Sequence, residues 1–188
     1  MKPPRTAALI LAAGSGRRMG GPKALLRVEG DTLLRRAARA ALEAGCSPVV
    51  AVVGAWPAGL DGLDVQTLPN PGADEGMASS LRLGIAALPP DAPGVLVLAV
   101  DQPAVDAALL RDLLALADCD PERPAACAYA GTLGIPAVLP RRLFPDLLTL
   151  SGDRGAKAIL LREGAAPLPF PGGAADLDTP ADLDGIRR

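Results

Sequence analysis

Residues 9–23 read L-I-L-A-A-G-S-G-R-R-M-G-G-P-K: an apolar run that breaks into four glycines, two arginines, a proline and a lysine. We read this as a strand feeding a phosphate-binding loop. Gly14, Gly16, Gly20 and Gly21 let the backbone turn with positive φ and bring its N–H groups close to a ligand. Arg17, Arg18 and Lys23 add cations beside those amides, which suits a polyanion such as a nucleoside triphosphate. A glycine-rich surface turn that binds nothing is the alternative left open by these residues alone.

Neither of the two common nucleotide motifs fits the spacing. A dinucleotide fingerprint needs G-x-G-x-x-G, but Gly14 and Gly16 are followed by Arg17, Arg18 and Met19 before Gly20. A P-loop needs G-x-x-x-x-G-K-[ST], whereas Pro22 separates Gly21 from Lys23 and Ala24 replaces the hydroxyl.

The chain of 188 residues is most simply one domain, 1–188. A chain of that size buries about 70% of the surface exposed on unfolding. Only four residues are aromatic, so the core is expected to consist of Leu, Ala and Val. The 41 Gly and Pro residues punctuate periodic apolar runs, which implies many turns and not disorder. A net charge of −2 argues against a general nucleic-acid or anionic-membrane surface. Cys46, Cys119 and Cys127 have neither disulfide-framework nor zinc-site spacing, so buried thiols in a reducing cytoplasm are expected. The start K-P-P-R before one short strand offers no signal-peptide core, and no apolar run approaches the ~18 residues of a membrane span. With no His, histidine acid–base and metal chemistry are excluded.

Along the chain, Asp31 is expected to cap a helix whose inner stripe is Leu33, Leu34, Ala37, Ala38, Ala41 and Leu42, with Arg35, Arg36, Arg39 and Glu43 opposite. Residues 48–54 form a short buried strand of the parallel-sheet kind, completing a strand–helix–strand unit with a right-handed crossover. Residues 65–68 suggest another strand. The turn-rich stretch 70–76 opens a helix over 77–88, where Ser79 and Ser80 either face a ligand or bond their own backbone.

Residues 94–101, G-V-L-V-L-A-V-D, are the clearest buried strand. Ligands sit at the carboxyl ends of parallel strands, so Asp101 should share a crevice with the glycine loop. A hard carboxylate there suits Mg²⁺ together with substrate phosphates. Capping a helix that begins near Val105 is the alternative. Two further strands, 124–129 and 135–139, are joined by residues 130–134 with pairing undetermined. Residues 151–157 lead into a helix through Arg162. Asp153 and Lys157 either orient an acceptor phosphate or belong to a capped helix start.

The run from Ala12 to Lys23 resembles the signature loop of nucleotidyltransferases that activate sugar phosphates, isoprenoid precursors and molybdopterin. Asp101-Gln102-Pro103 resembles the D-Q-P motif of molybdenum cofactor cytidylyltransferases, and residues 152–157 their G-D-x-G-A-[RK] motif. The tail D-L-D-T-P-A-D-L is similar to the ending of that superfamily. The resemblance implies a three-layer α/β/α, Rossmann-like nucleotidyltransferase domain with a mostly parallel sheet. It implies transfer of CMP from CTP to the phosphate of molybdopterin, with pyrophosphate leaving, and a client molybdoenzyme of the xanthine dehydrogenase type. Other acceptors, a guanylyl donor, or a non-catalytic carrier of the cofactor are the alternatives.

By the same resemblance, Ala12, Ala13, Gly14, Ser15, Gly16, Arg18 and Lys23 hold the triphosphate, with Arg18 and Lys23 acting in catalysis. Gly76, Ser80 and Gly84 hold base and ribose, Asp101 and Asp178 bind Mg²⁺, and Gln102, Asp153 and Lys157 face the acceptor. Ala13 favours a cytidylyl donor, since guanylyl relatives tend to carry Gly there. Family members place a polar residue between Gly134 and Pro136, where this chain has Ile135.

Overall fold

The computed structural model describes residues 5–16 and 20–174. Within them the strands are β1 (Ala7–Ala12), β2 (Arg27–Val28), β3 (Asp31–Thr32), β4 (Val49–Val53), β5 (Gln66–Pro69), β6 (Gly94–Ala99), β7 (Ala125–Tyr129), β8 (Thr132–Pro140) and β9 (Ala166–Pro169). The helices are α1 (Leu33–Glu43), α2 (Met77–Ala86), α3 (Ala107–Asp118), α4 (Phe144–Leu148) and α5 (Lys157–Arg162). Seven strands form one sheet in the order β5-β4-β1-β6-β8-β7-β9, in which only β8 runs against the others. Strands β2 and β3 form a separate small hairpin.

The layers follow from the alternation of side chains along each strand. Ala8, Ile10 and Ala12 of β1, Ala51 of β4 and Leu96 and Leu98 of β6 pack with Leu34 of α1 and Leu110 and Leu113 of α3. Their neighbours Leu9, Val50, Val52, Val95 and Val97 face the other way, onto Leu81 and Ile85 of α2, Leu147 of α4 and Leu160 of α5. Helices therefore cover both faces, as the unalternating apolar runs require. Gly84 of α2 lies on this second face: a Cβ there would come within 2.2 Å of Leu9 Cδ1. Its missing side chain lets α2 approach β1, which gives a packing reason for glycine there.

Several local expectations need correction. Thr32, not Asp31, caps α1, accepting a hydrogen bond from the Arg35 amide at 3.2 Å. Asp31 instead pairs with Arg35 and Arg39, at 3.5 and 3.0 Å. Asp106 caps α3, accepting from the Leu109 amide at 2.8 Å, which leaves Asp101 without that role. The connection after β7 is only two residues, Ala130 and Gly131, both with positive φ (49° and 72°), the geometry of a tight primed turn. Ala156 precedes α5 without any side-chain cap, so the helix start near Lys157 is not a capped one.

Among the described residues, no helix is long and apolar enough to cross a membrane.

Candidate active site

The chain leaves β1 toward β4 and β5 on one side and later returns to place β6 on the other. The loops following β1 and β6 thus diverge at a topological switch point, where open α/β sheets bind ligands. A cleft of about 710 Å³ opens there.

Its floor is the loop after β1. Ala12, Ala13, Gly14, Ser15 and Gly16 line the cleft. Among the described residues no atom lies within 4 Å of where a Gly14 Cβ would stand, so its backbone is open there to an approaching ligand. Gly16 has a φ of 58°, and a Cβ there would lie 1.9 Å from the Gly21 carbonyl oxygen. The Gly21 amide donates to the Gly16 carbonyl at 3.3 Å, drawing the ends of the loop together. Arg17 and Arg18 lie outside the described residues, as does Asp178.

Two charged side chains converge on the cleft from the two diverging loops. Lys23 Nζ lies 3.6 Å from Asp101 Oδ2, both side chains partly exposed. Asp101 stands just past the carboxyl end of β6 and supplies a hard oxygen donor in the cleft.

The opposite wall is built by α2 and the loop before α5. Gly76, Met77, Ser80, Asp74 and Asp153 line it. Gly76 adopts φ 116° and ψ −176°, a region open essentially to glycine alone. A Cβ there would fall 2.5 Å from the Gly152 carbonyl and 2.6 Å from Asp153 Oδ1. The Ala78 amide donates to the Gly152 carbonyl at 3.0 Å, so the start of α2 is bonded to the turn that presents Asp153.

Arg82 strengthens this joint. Its guanidinium donates to the Leu150 carbonyl and to Glu75 at 2.6 and 2.8 Å. The hydrogen bond from Arg82 holds the Glu75 carboxyl below its ordinary value.

Ser80 is buried. Asn70 Nδ2 donates to Ser79 Oγ at 2.9 Å and to Ser80 Oγ at 3.0 Å, while Asn70 Oδ1 accepts from the Gly72 amide at 2.9 Å. Sequence reasoning took Asn70 only for a turn former. Its place before Pro71-Gly72 was the available signal, but its partners nine and ten residues onward are set by the fold. Met77 and Asp74 were also missed.

The structure thus brings together Ala12, Ala13, Gly14, Ser15, Gly16, Lys23, Gly76, Ser80, Asp101 and Asp153. Gln102 and Lys157 are not among the residues lining this cleft. Gln102 is buried, donating to the Tyr129 hydroxyl and the Gly173 carbonyl, both at 3.2 Å. Lys157 is exposed at the first turn of α5.

Comparison with known proteins agrees with this geometry. Residues 8–166 match the family described as MobA-like NTP transferase domain. The chain is 34% identical over 176 residues to a molybdenum cofactor guanylyltransferase of Pseudomonas putida, covering 88% of this chain and 87% of that protein. It is 29% identical over 205 residues to the purine catabolism protein PucB of Bacillus subtilis, covering 100% of this chain and 98% of the relative. The solved structure of Rv0371c from Mycobacterium tuberculosis superposes with a TM-score of 0.81 at 29% identity, over 100% of this chain and 99% of that one. A manganese complex of the same protein superposes with a TM-score of 0.75 at 28% identity, over 97% of this chain and 98% of that one. With residues 8–166 matched by the family and a relative 34% identical across most of its length, this chain belongs to the MobA-like NTP transferase family of nucleotidyltransferases.

Proposed function

We propose that the protein, as a single domain, transfers CMP from CTP to the terminal phosphate of molybdopterin. The carrying observation is that the Lys23–Asp101 pair and residues 13–16 of the loop after β1 line one cleft. An oxygen of the acceptor phosphate attacks the α-phosphorus. The bond from that phosphorus to the oxygen bridging to the β-phosphate breaks, and pyrophosphate departs with the electron pair. The acceptor oxygen is already anionic near neutral pH, so little proton transfer is needed.

The difficulty is electrostatic, because one anion must approach another while charge grows on the leaving oxygen. Preorganised donors and cations reduce that cost. In this reading the amides of residues 13–16 fix the β- and γ-phosphates, and Lys23 and Arg18 neutralise them. Asp153, which lines the cleft, stands on the acceptor side of the site.

The donor set fits Mg²⁺, which favours one or two carboxylates with substrate phosphates and water completing its shell. Asp101 would hold it, with Asp178 as the second acid. When bound, it polarises the α-phosphate and stabilises the departing oxygen.

The choice of CTP rests on Ala13, which is 4% exposed at the base of the cleft and leaves less room for a purine than glycine would. The name of the Pseudomonas relative supports a second reading, guanylyl transfer by the same machinery. A client molybdoenzyme of the xanthine dehydrogenase type and a cytoplasmic location complete this reading.

The test is pyrophosphate release with Mg²⁺ and molybdopterin, supplying CTP, GTP, ATP and UTP separately, with Asp101→Asn as control. Release with CTP alone, lost in the variant, is expected. Release with GTP instead keeps the chemistry and overturns the argument from Ala13. Nucleotide binding without release from any of the four overturns the reading.

A further inference from the structure

Beyond Ala99 the ladder of β6 ends, and the turn that carries Asp101 leaves the sheet. The next residue anchors that turn. The Gln102 carbonyl accepts from the Val105 amide at 3.1 Å, and its side chain is only 6% exposed. Gln102 Nε2 donates to the Tyr129 hydroxyl at the end of β7 and to the Gly173 carbonyl, both at 3.2 Å. The Tyr129 hydroxyl in turn donates to the Ile135 carbonyl on β8 at 2.9 Å.

This bridge lies between closely fitted surfaces. A Cβ on Gly134 would sit 2.3 Å from the Tyr129 hydroxyl oxygen, and one on Gly173 would sit 2.5 Å from the Tyr129 ring. The Phe170 ring meets Tyr129 edge-on at 6.3 Å. Among the described residues Gln102 Oε1 has no hydrogen-bond partner. The amide is therefore oriented by its NH₂ group alone, because the reverse orientation would set Oε1 against the Gly173 carbonyl.

We propose that Gln102 is a positioning residue: it fixes the Asp101 carboxylate by tying the turn after β6 to the β7–β8 hairpin and to the turn Pro171–Ala174. Its side-chain donors are engaged by Tyr129 and Gly173, neither of which lines the cleft, so it acts on the reaction through Asp101 and not by touching the acceptor. This rests on the nucleotidyl-transfer reading and on Asp101 as the metal-holding acid. Supports behind a ligating carboxylate commonly matter 10–100-fold, roughly as much for metal affinity as for turnover.

The experiment compares wild type with Gln102→Met, which keeps volume and removes the donors, and Tyr129→Phe, which removes only the hydroxyl. For each, kcat and acceptor KM are measured with Mg²⁺, and Mn²⁺ affinity is measured by electron paramagnetic resonance with nucleotide and no acceptor. Gln102→Met should lower both kcat and Mn²⁺ affinity by roughly 10–100-fold, with acceptor KM within about twofold. Tyr129→Phe should shift both in the same direction by less, and the double variant should lose less than the product of the two.

A raised acceptor KM with unchanged kcat and Mn²⁺ affinity would overturn the proposal and make Gln102 an acceptor contact. A lowered melting temperature with kcat and Mn²⁺ affinity intact would overturn it too, leaving a structural role only. If Gln102→Met does not fold, Tyr129→Phe decides by the same readouts. A wild type silent toward every nucleotide would overturn the transfer reading, while Mn²⁺ affinity would still decide the positioning role.

Discussion

Lys23 and Asp101 meet at 3.6 Å although one follows β1 and the other follows β6, with the chain between them building α1, β4, β5 and α2. Their meeting is a product of the sheet order, since β1 and β6 are parallel neighbours in register from Ala7↔Val95 to Leu11↔Ala99. Because both line the cleft, Asp101→Ala should lower turnover by roughly 10²–10³, the size seen when one transition-state stabiliser is lost. Steady-state kinetics of a folded variant checks this. Near-normal turnover would remove Asp101 from the mechanism.

Ala13 contributes one methyl at the base of the cleft. Ala13→Gly should narrow the preference for CTP over GTP by at least about tenfold, since a single methyl in a pocket is worth about 1–3 kcal/mol of discrimination. The ratio of kcat/KM for the two nucleotides is the measurement, and an unchanged ratio would dissociate donor choice from this residue.

Gly76 is required by its backbone and by its surroundings. Gly76→Ala would place a methyl against Gly152 and Asp153 in a conformation that L side chains rarely adopt. A loss of at least about 2 kcal/mol in urea unfolding is expected. Weaker transfer activity should accompany it, because the turn presenting Asp153 would have to shift.

Asn70 satisfies two buried hydroxyls and one loop amide at once. Asn70→Ala should cost about 1–3 kcal/mol, the usual penalty for buried polar groups that lose their partner. Chemical denaturation would reveal it, and a neutral result would mean that the serines find other partners.

Burial pushes the Cys46 and Cys127 thiols from an ordinary value near 9 up to about 12. Below pH 9 folded and unfolded chains both keep these protons, so the thiols add no pH dependence. Between pH 9 and 12 only the unfolded chain releases them, so stability should fall as pH rises through that window. Melting curves of wild type and Cys46→Ala against pH should show a shallower decline in the variant. A thiol reagent in native buffer should label Cys119, which is exposed, well before the other two.

Much of the architecture was legible because the central strands are buried on both faces. A run such as G-V-L-V-L-A cannot be placed anywhere but inside a covered sheet, and its terminal carboxylate then falls in the crevice. The helix-cap error at Asp31 has a local cause: two adjacent residues can both accept the capping bond, and backbone geometry chose Thr32. The pairing of β8 between β6 and β7 was not legible, since the register shift between Ala126 and Cys127 sets Gly134, not Pro136, opposite Cys127. The inward turn of Gln102 was equally hidden, because its partners stand 27 and 71 residues away.

The reversed direction of β8 has a consequence for how such a protein can change. The two-residue turn at Ala130 and Gly131 joins β7 to β8 at the same end of the sheet as the carboxyl termini of β1 and β6. Neither residue is buried, and no ladder pair involves them. Extra residues inserted there would extend outward from that end of the sheet without disturbing the register of any strand. The fold therefore carries a growth point near its chemistry, where an ancestor could acquire a new acceptor while its nucleotide loop stayed untouched.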